Sequence, residues 1–229
     1  MEFSAGVSHE LRTPLAIIRS AAHNIKEGVV VKPDEVQEYA GMIGEEGRRL
    51  SDMVDQIILF AQTESGRRNY AMEPVSVHEV VRRAMGTLSS LIEDADCQVK
   101  TFIDPDLPPV QADPTGLAHC VQNLLSNAIK YGRSEGGTSI TIQAVHDDES
   151  DIVRLSIGDR GPGIEADDLP YLFEPFYRGR KVPEETRGNG LGLSLVKRII
   201  EGHQGRVTVS SKSGEGSCFT LHIPKGATP

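Results

Sequence analysis

Apolar residues recur at alternating intervals of four and three along the first part of the chain, and this rhythm restricts what it can fold into. One series runs Val7, Leu11, Leu15, Ile18, Ala22, Ile25 and Val29; a second runs Val36, Ala40, Ile43, Gly47, Leu50, Val54, Ile57 and Ala61. Such spacing draws a single apolar stripe along an α-helix. Lys32-Pro33-Asp34 separates the two series, and Pro33 suits the first turn of the second helix. Two amphipathic helices joined by a short loop form an antiparallel hairpin. One hairpin cannot bury both stripes well, whereas two hairpins paired as a four-helix bundle can, so a homodimer is expected.

The pattern changes after the polar stretch Glu64 to Asn69. The expected division is a helical hairpin over 1–65, a linker over 66–71 and a second domain over 72–229. Within the second domain the spacing predicts a helix from Val75 to Leu91, a strand from Gln98 to Ile103 and a helix from Asp113 to Tyr131. Ile140, Ile142 and Ala144 alternate with polar residues, as do Val153, Leu155 and Ile157, which predicts two strands. A helix over Leu193 to Glu201 and strands over Val207 to Ser210 and Cys218 to Ile223 complete an α/β sandwich with a mixed sheet. The fold class is therefore α+β with more than one domain.

Charge and composition remove several functions. A net charge of −9 argues against nucleic acid. The apolar runs are too short for a membrane span, so a cytoplasmic portion is expected, with room for an inner-membrane anchor in a longer parent. Three scattered cysteines fit neither a disulfide framework nor a metal knuckle.

Four stretches carry chemistry. On a helical wheel His9 falls on the side opposite the apolar stripe, and Thr13, four residues on, shares its face. A largely neutral imidazole at pH 7 has a free lone pair that can attack phosphorus, and a carboxylate beside it such as Glu10 can hold the other ring N–H. Pro14 removes the donor for the carbonyl of Glu10, which lets the helix bend there. In the second stretch Asn123, Asn127 and Lys130 share one helical face, suited to Mg²⁺ and a polyphosphate. In the third, Asp159-Arg160-Gly161-Pro162-Gly163-Ile164 ends a strand; its glycines allow close backbone approach, and Asp159 offers an acceptor to an exocyclic amine. The fourth, Gly188-Asn189-Gly190-Leu191-Gly192-Leu193, runs into a helix as a phosphate cradle would. It lacks the preceding strand of a dinucleotide fold and the Gly-Lys-Ser/Thr of a P-loop.

Together and in this order, the motifs resemble the catalytic core of two-component sensor histidine kinases. His9 to Leu15 is similar to the H-box, Asn123 to Tyr131 to the N-box, and Asp159 to Ile164 to the G1 box. Phe173 to Arg178 resembles the F-box and Gly188 to Leu193 the G2 box. The resemblance implies a dimerisation and phosphotransfer hairpin followed by an ATP-binding domain of the gyrase and chaperone type. It implies His9 as phospho-acceptor, Glu10 as its proton acceptor, and Thr13 as a positioner of water in a phosphatase reaction. Asn127 with Asn123 would hold Mg²⁺, Lys130 and Tyr131 would contact ATP, and Asp159 would bind adenine. Gly161, Gly163, Ile164, Phe173, Gly188, Gly190, Leu191, Gly192 and Leu193 would line the nucleotide, under a lid from Tyr177 to Arg187. Arg178 would stabilise the transferred phosphoryl group, and the partner would be the receiver domain of a response regulator.

Three departures stand out. Only eight residues precede His9, so the chain is expected to be a shortened piece with a weaker dimer than its parent's. Gly41, Gly44 and Gly47 inside the second helix imply a soft stretch or unusually close packing. Gln204 stands where the family usually has a glycine after its last helix. The residues leave open a catalytically silent nucleotide-binding module, a state biased toward phosphatase activity, for which Thr13 leaves room, and a gyrase- or chaperone-type ATPase.

Overall fold

The computed structural model describes residues 2–64, 69–134, 137–180 and 188–226; the side chains of residues 2–5, 9, 64 and 134 lie outside that description. The chain divides into two compact units, Met1–Gln62 and Thr63–Pro229. Among the described residues no helix is long and apolar enough to cross a membrane.

The first unit consists of α1 (Glu2–Lys26) and α2 (Pro33–Glu64). The first helix ends where Gly28 turns left-handed at φ 69°. There the Val29 N–H reaches back to Asn24 O at 3.0 Å and the Gly28 N–H to Ile25 O at 3.2 Å. This paired closure satisfies the last carbonyls of the helix. At the start of α2, Asp34 and Glu35 lie in the first turn, favourable against the helix dipole. Pro14 does not interrupt α1, which is helical throughout.

The buried face of each helix is displaced from the expected stripe. On α1 the inward residues include Pro14 and Ala21, while Leu15, Ala22 and Val29 are exposed. On α2 the inward set is Tyr39, Ile43, Glu46, Leu50, Met53, Ile57 and Phe60, while Ala40, Gly47, Val54 and Ala61 stay outside. Each helix thus has two adjoining apolar stripes, and only one is covered within the chain. Within one chain, a methyl group on Gly41 or Gly47 would meet no atom within 4 Å.

The second unit is a two-layer sandwich. Its sheet has the order β2-β5-β6-β8-β7, built from β2 (Cys97–Ile103), β5 (Gly137–Asp147), β6 (Ile152–Asp159), β8 (Gly216–Pro224) and β7 (Arg206–Lys212). β2 pairs parallel with β5 and the other neighbours are antiparallel, so the sheet is mixed. The short β4 (Arg133–Ser134) pairs with β5. A separate ribbon joins β1 (Glu73–Val75) to β3 (Val110–Ala112).

The helices are α3 (Val77–Thr87), α4 (Ser89–Asp94), α5 (Pro114–Tyr131) and α6 (Gly192–Gly202). The single helix expected from Val75 to Leu91 is instead a strand end followed by two helices. Ser76 stops the strand and caps α3, its hydroxyl accepting from the Glu79 N–H at 3.5 Å, and Leu88 separates α3 from α4. Asp113 caps α5, its Oδ1 accepting from the Gly116 N–H at 2.7 Å, with Pro114 in the first turn.

Leu117, Leu124, Leu125, Leu195, Ile199 and Ile200 on α5 and α6 are wholly buried, as are Ile140, Ile142, Leu155 and Leu221 on the sheet. Each such side chain contributes about 1.5–3 kcal/mol of burial. This core fixes α5 and α6 over one face of the sheet, so the opposite face of α5 and the start of α6 are what the fold presents.

Candidate active site

The elements bearing the N-box, G1, F-box and G2 residues converge on the end of α5. Tyr131 and Gly132 close α5 against the turn after β6: a methyl group on Gly161 would collide with the Tyr131 carbonyl, and one on Gly132 would lie 2.8 Å from Asp159 Cβ. The glycine-rich run reaches the same helix from the other side. A methyl on Gly188 would sit 2.9 Å from the Tyr131 hydroxyl, and one on Gly192 2.8 Å from Asn123 Oδ1. Gly190 has φ 68° and is pressed against Phe176, which is itself left-handed at φ 64°. The Phe176 N–H donates to Gly190 O at 3.0 Å, tying the two loops by backbone.

Asp159 is held through both oxygens. Oδ1 accepts from the Gly161 N–H at 2.8 Å, and Oδ2 accepts from the Ser217 hydroxyl at 2.6 Å. A carboxylate retains further lone pairs, so a fixed Asp159 can still receive an amine N–H. Gly163, at φ 69°, brings its backbone against Lys212 O, and the Ile164 N–H donates to Ser211 Oγ at 2.9 Å. Ser211 in turn donates to Gly216 O at 2.7 Å, so the turn is anchored to β7 and β8.

Asn123 donates its Nδ2 to His119 O at 3.0 Å, which leaves its oxygen on the side of Gly192. Asn127 follows one turn on, half-buried, and Lys130 is exposed. Amide oxygens on one helical face fit a hard divalent cation, which takes oxygen ligands. The first turn of α6 has no side-chain cap, so its N–H groups are available to an anion. Asn189 shapes the approach by accepting from the Leu191 N–H at 3.1 Å.

Burial pushes the Tyr131 phenol above its usual pKa, and the Arg178 guanidinium partly offsets this, which sets Arg178 within electrostatic reach of Tyr131. The same loop is braced by Asp168, a buried carboxylate. It accepts from the Tyr177 hydroxyl at 2.8 Å and from the Arg180 N–H at 3.2 Å, and that hydrogen bond raises the Tyr177 pKa.

Phe173 and Leu193 are half-buried near these loops, whereas Leu191 is wholly buried and serves the core that anchors the glycine loop. The lid residues 181–187 lie outside the described residues. His9, Glu10 and Thr13 belong to the first unit, on α1; Glu10 is half-buried, Thr13 is exposed, and the His9 side chain lies outside the description, so its expected facing has no counterpart here. Sequence reasoning missed Ser217 and Asp168. The only hint of Ser217 was its place after Gly214-Glu215-Gly216, and Asp168 carried no signal at all.

A glycine loop and an asparagine-bearing helix over one end of a mixed sheet define a class, and comparison agrees. Residues 112–227 match the family described as histidine kinase-, DNA gyrase B- and HSP90-like ATPase. Residues 1–66 match the His Kinase A (phospho-acceptor) domain. With both in this order, the chain belongs to the two-component sensor histidine kinases. It is 34% identical over 227 residues to the sensor-like histidine kinase SenX3 of Mycobacterium bovis, a match covering 97% of this chain and 53% of that protein. The chain thus spans about half of that relative's length. The solved Acinetobacter baumannii histidine kinase AdeS is similar at a TM-score of 0.78 and 26% identity, over 96% of this chain and 98% of that one. The histidine kinase ThkA, solved in complex with the response regulator protein TrrA, gives 0.77 and 26%, over 98% of this chain and 61% of that one.

Proposed function

We propose that the chain autophosphorylates on His9 with ATP and passes the phosphoryl group to an aspartate of a response regulator receiver domain. The observation that carries this reading is the convergence of Gly188 and Gly192 on Tyr131 and Asn123, beside the uncapped start of α6. Such a cradle suits a polyphosphate, and Asp159, braced by Ser217, suits the exocyclic amine of adenine. Mg²⁺ held through Asn127 and Asn123 would supply charge neutralisation on the phosphates.

In the reaction a ring nitrogen of His9 attacks the γ-phosphorus, a P–N bond forms, and the bond to the β,γ-bridging oxygen breaks to release ADP. Glu10 takes the imidazole proton. Arg178, within electrostatic reach of Tyr131, would stabilise the charge that builds on the transferred group. The aspartate carboxylate of the regulator then attacks the phosphorus and displaces the imidazole. Thr13, exposed and one turn beyond His9, would orient water to hydrolyse the regulator's aspartyl phosphate, releasing inorganic phosphate and the free carboxylate. The exposed stripes of α1 and α2 support a homodimer.

The test is incubation with γ-labelled ATP and Mg²⁺. Label that is acid-labile and alkali-stable, absent in His9→Gln, is the expected result. A wild-type chain that is dimeric by light scattering yet takes no label overturns the reading in favour of a silent nucleotide-binding module.

A further inference from the structure

The sheet face turned away from the helices carries an arrangement the kinase reaction does not use. Residues directly opposite in antiparallel strands point to the same face. Arg206 is opposite His222, which is opposite Arg154, so three basic groups lie in one row across β7, β8 and β6. The next row on that face is Thr208, Thr220, Ser156 and Gln143. Between the rows lies a trough of about 300 Å³ lined by Arg154, His222, Thr208, Thr220, Ser156 and Gln143, with Arg206 outside the lining but paired with His222 on the neighbouring strand.

Like charges opposite one another destabilise a sheet. Here the strain is felt by His222, whose pKa is pushed down by burial and then by Arg206 and Arg154. Little offsets the charge within the chain: Asp147 approaches Arg154 only to 4.0 Å, and Arg206 makes no ion pair among the described residues. The hydroxyls are set in order by Thr208 on His222 Nε2 and by Ser156 on Thr220, both at 2.9 Å. One of Ser156 and Thr220 keeps its proton for a ligand, and so does Thr208 in the tautomer where His222 Nε2–H donates to it.

We infer that this trough binds an oxyanion of the phosphate class, held by Arg154 in the lining, with the charge of Arg206 beside it, and ordered by the hydroxyl of Thr208 and by whichever of Ser156 and Thr220 does not donate to the other. Two guanidiniums and two hydroxyl protons offer more donors than the two oxygens of a carboxylate can take, and a phosphate has more acceptors for them. In a chain of net charge −9 the row is a local exception, which sharpens its preference for an anion. The site lies on the face opposite the helices that carry the asparagines and the glycine loop, so it is separate from the nucleotide cradle.

Titration of inorganic phosphate into the isotopically labelled full chain at constant ionic strength, followed by amide shifts, tests the assignment. Saturable shifts centred on Ser156, Thr208, Thr220 and His222 are expected. In the Arg154→Gln, Arg206→Gln double variant the dissociation constant should rise about tenfold or more, with the melting temperature kept. Thr208→Val, which leaves the charges in place, should weaken binding several-fold. An absence of saturable shifts on this face overturns the proposal, as does an unchanged dissociation constant in the variants. Shifts confined to Asn123 and residues 188–192 also overturn it, because phosphate would then be read by the nucleotide site alone.

Discussion

The two units bury their apolar residues to different degrees. In the α/β unit the sheet and three helices close around a wholly buried core, and among the described residues only Phe102 and Tyr171 remain as exposed large hydrophobics. In the helical unit Phe60 is 1% exposed, yet Leu15 is 59%, Val29 69% and Ile58 50% exposed. The first unit has half a core covered and half uncovered, whereas the second is complete. Secondary structure therefore does not measure self-sufficiency: α1 and α2 are the longest elements of the chain and the least finished in tertiary terms.

The largest effect that tests this contrast is Leu195→Ala. Removing a wholly buried side chain of the α/β core should cost about 2–5 kcal/mol, measured by denaturant unfolding, and the cost should not vary with protein concentration. A concentration-dependent loss would mean that the second unit, too, leans on a partner. Next in size is Val54→Lys. It lies on the uncovered stripe, so it should weaken self-association by about 1–3 kcal/mol in sedimentation equilibrium, while the melting of the α/β unit stays in place. An unaltered association constant would show that this stripe faces solvent.

Ser217→Ala removes one of the two groups that hold Asp159. Nucleotide affinity by calorimetry should fall about tenfold, with unfolding energy little changed. If stability falls and affinity does not, Ser217 belongs to the core and not to the site. The smallest effects compare glycine in the two units. Gly41→Ala, with open space around it, should stabilise the helical unit by up to about 1 kcal/mol. Gln204 holds φ 58°, so Gln204→Gly should stabilise the α/β unit by a similar or smaller amount. Differential scanning calorimetry separates the two if the units melt apart.

What the sequence showed of this follows physical lines. The repeat of four and three identified the hairpin because a helix converts period into a face. It did not say which flank of that face is covered, because Val36, Ile43, Leu50 and Ile57 belong to both candidate stripes. The covered flank, Tyr39, Glu46, Met53 and Phe60, contains a charged residue that spoils its apolar signature. β1 and β3, three residues each, are too short to alternate visibly. Asn123, Asn127, Asp159 and the glycines could be singled out because each motif is local. Ser217 and Asp168 could not, since their roles arise from contacts with Asp159 and Tyr177 made only on folding. Gln204 was legible as a departure, and the structure gives its cost: a left-handed backbone kept without glycine.

Asp113 ties together the entering segment, α5 and the end of α6. Its N–H donates to His203 Nε2 at 2.8 Å, one carboxylate oxygen caps its own helix, and the other accepts from the Ala71 N–H at 3.0 Å. Tyr70 lies against the His203 ring, with centroids 4.6 Å apart. The chain entering the α/β unit therefore has no slack at its point of entry. Ala71 is thereby tied to the first turn of α5, the helix that carries Asn123 and Asn127. Asp113 is in this sense a bearing: the segment that enters the unit and the helix that carries the asparagines turn on one side chain.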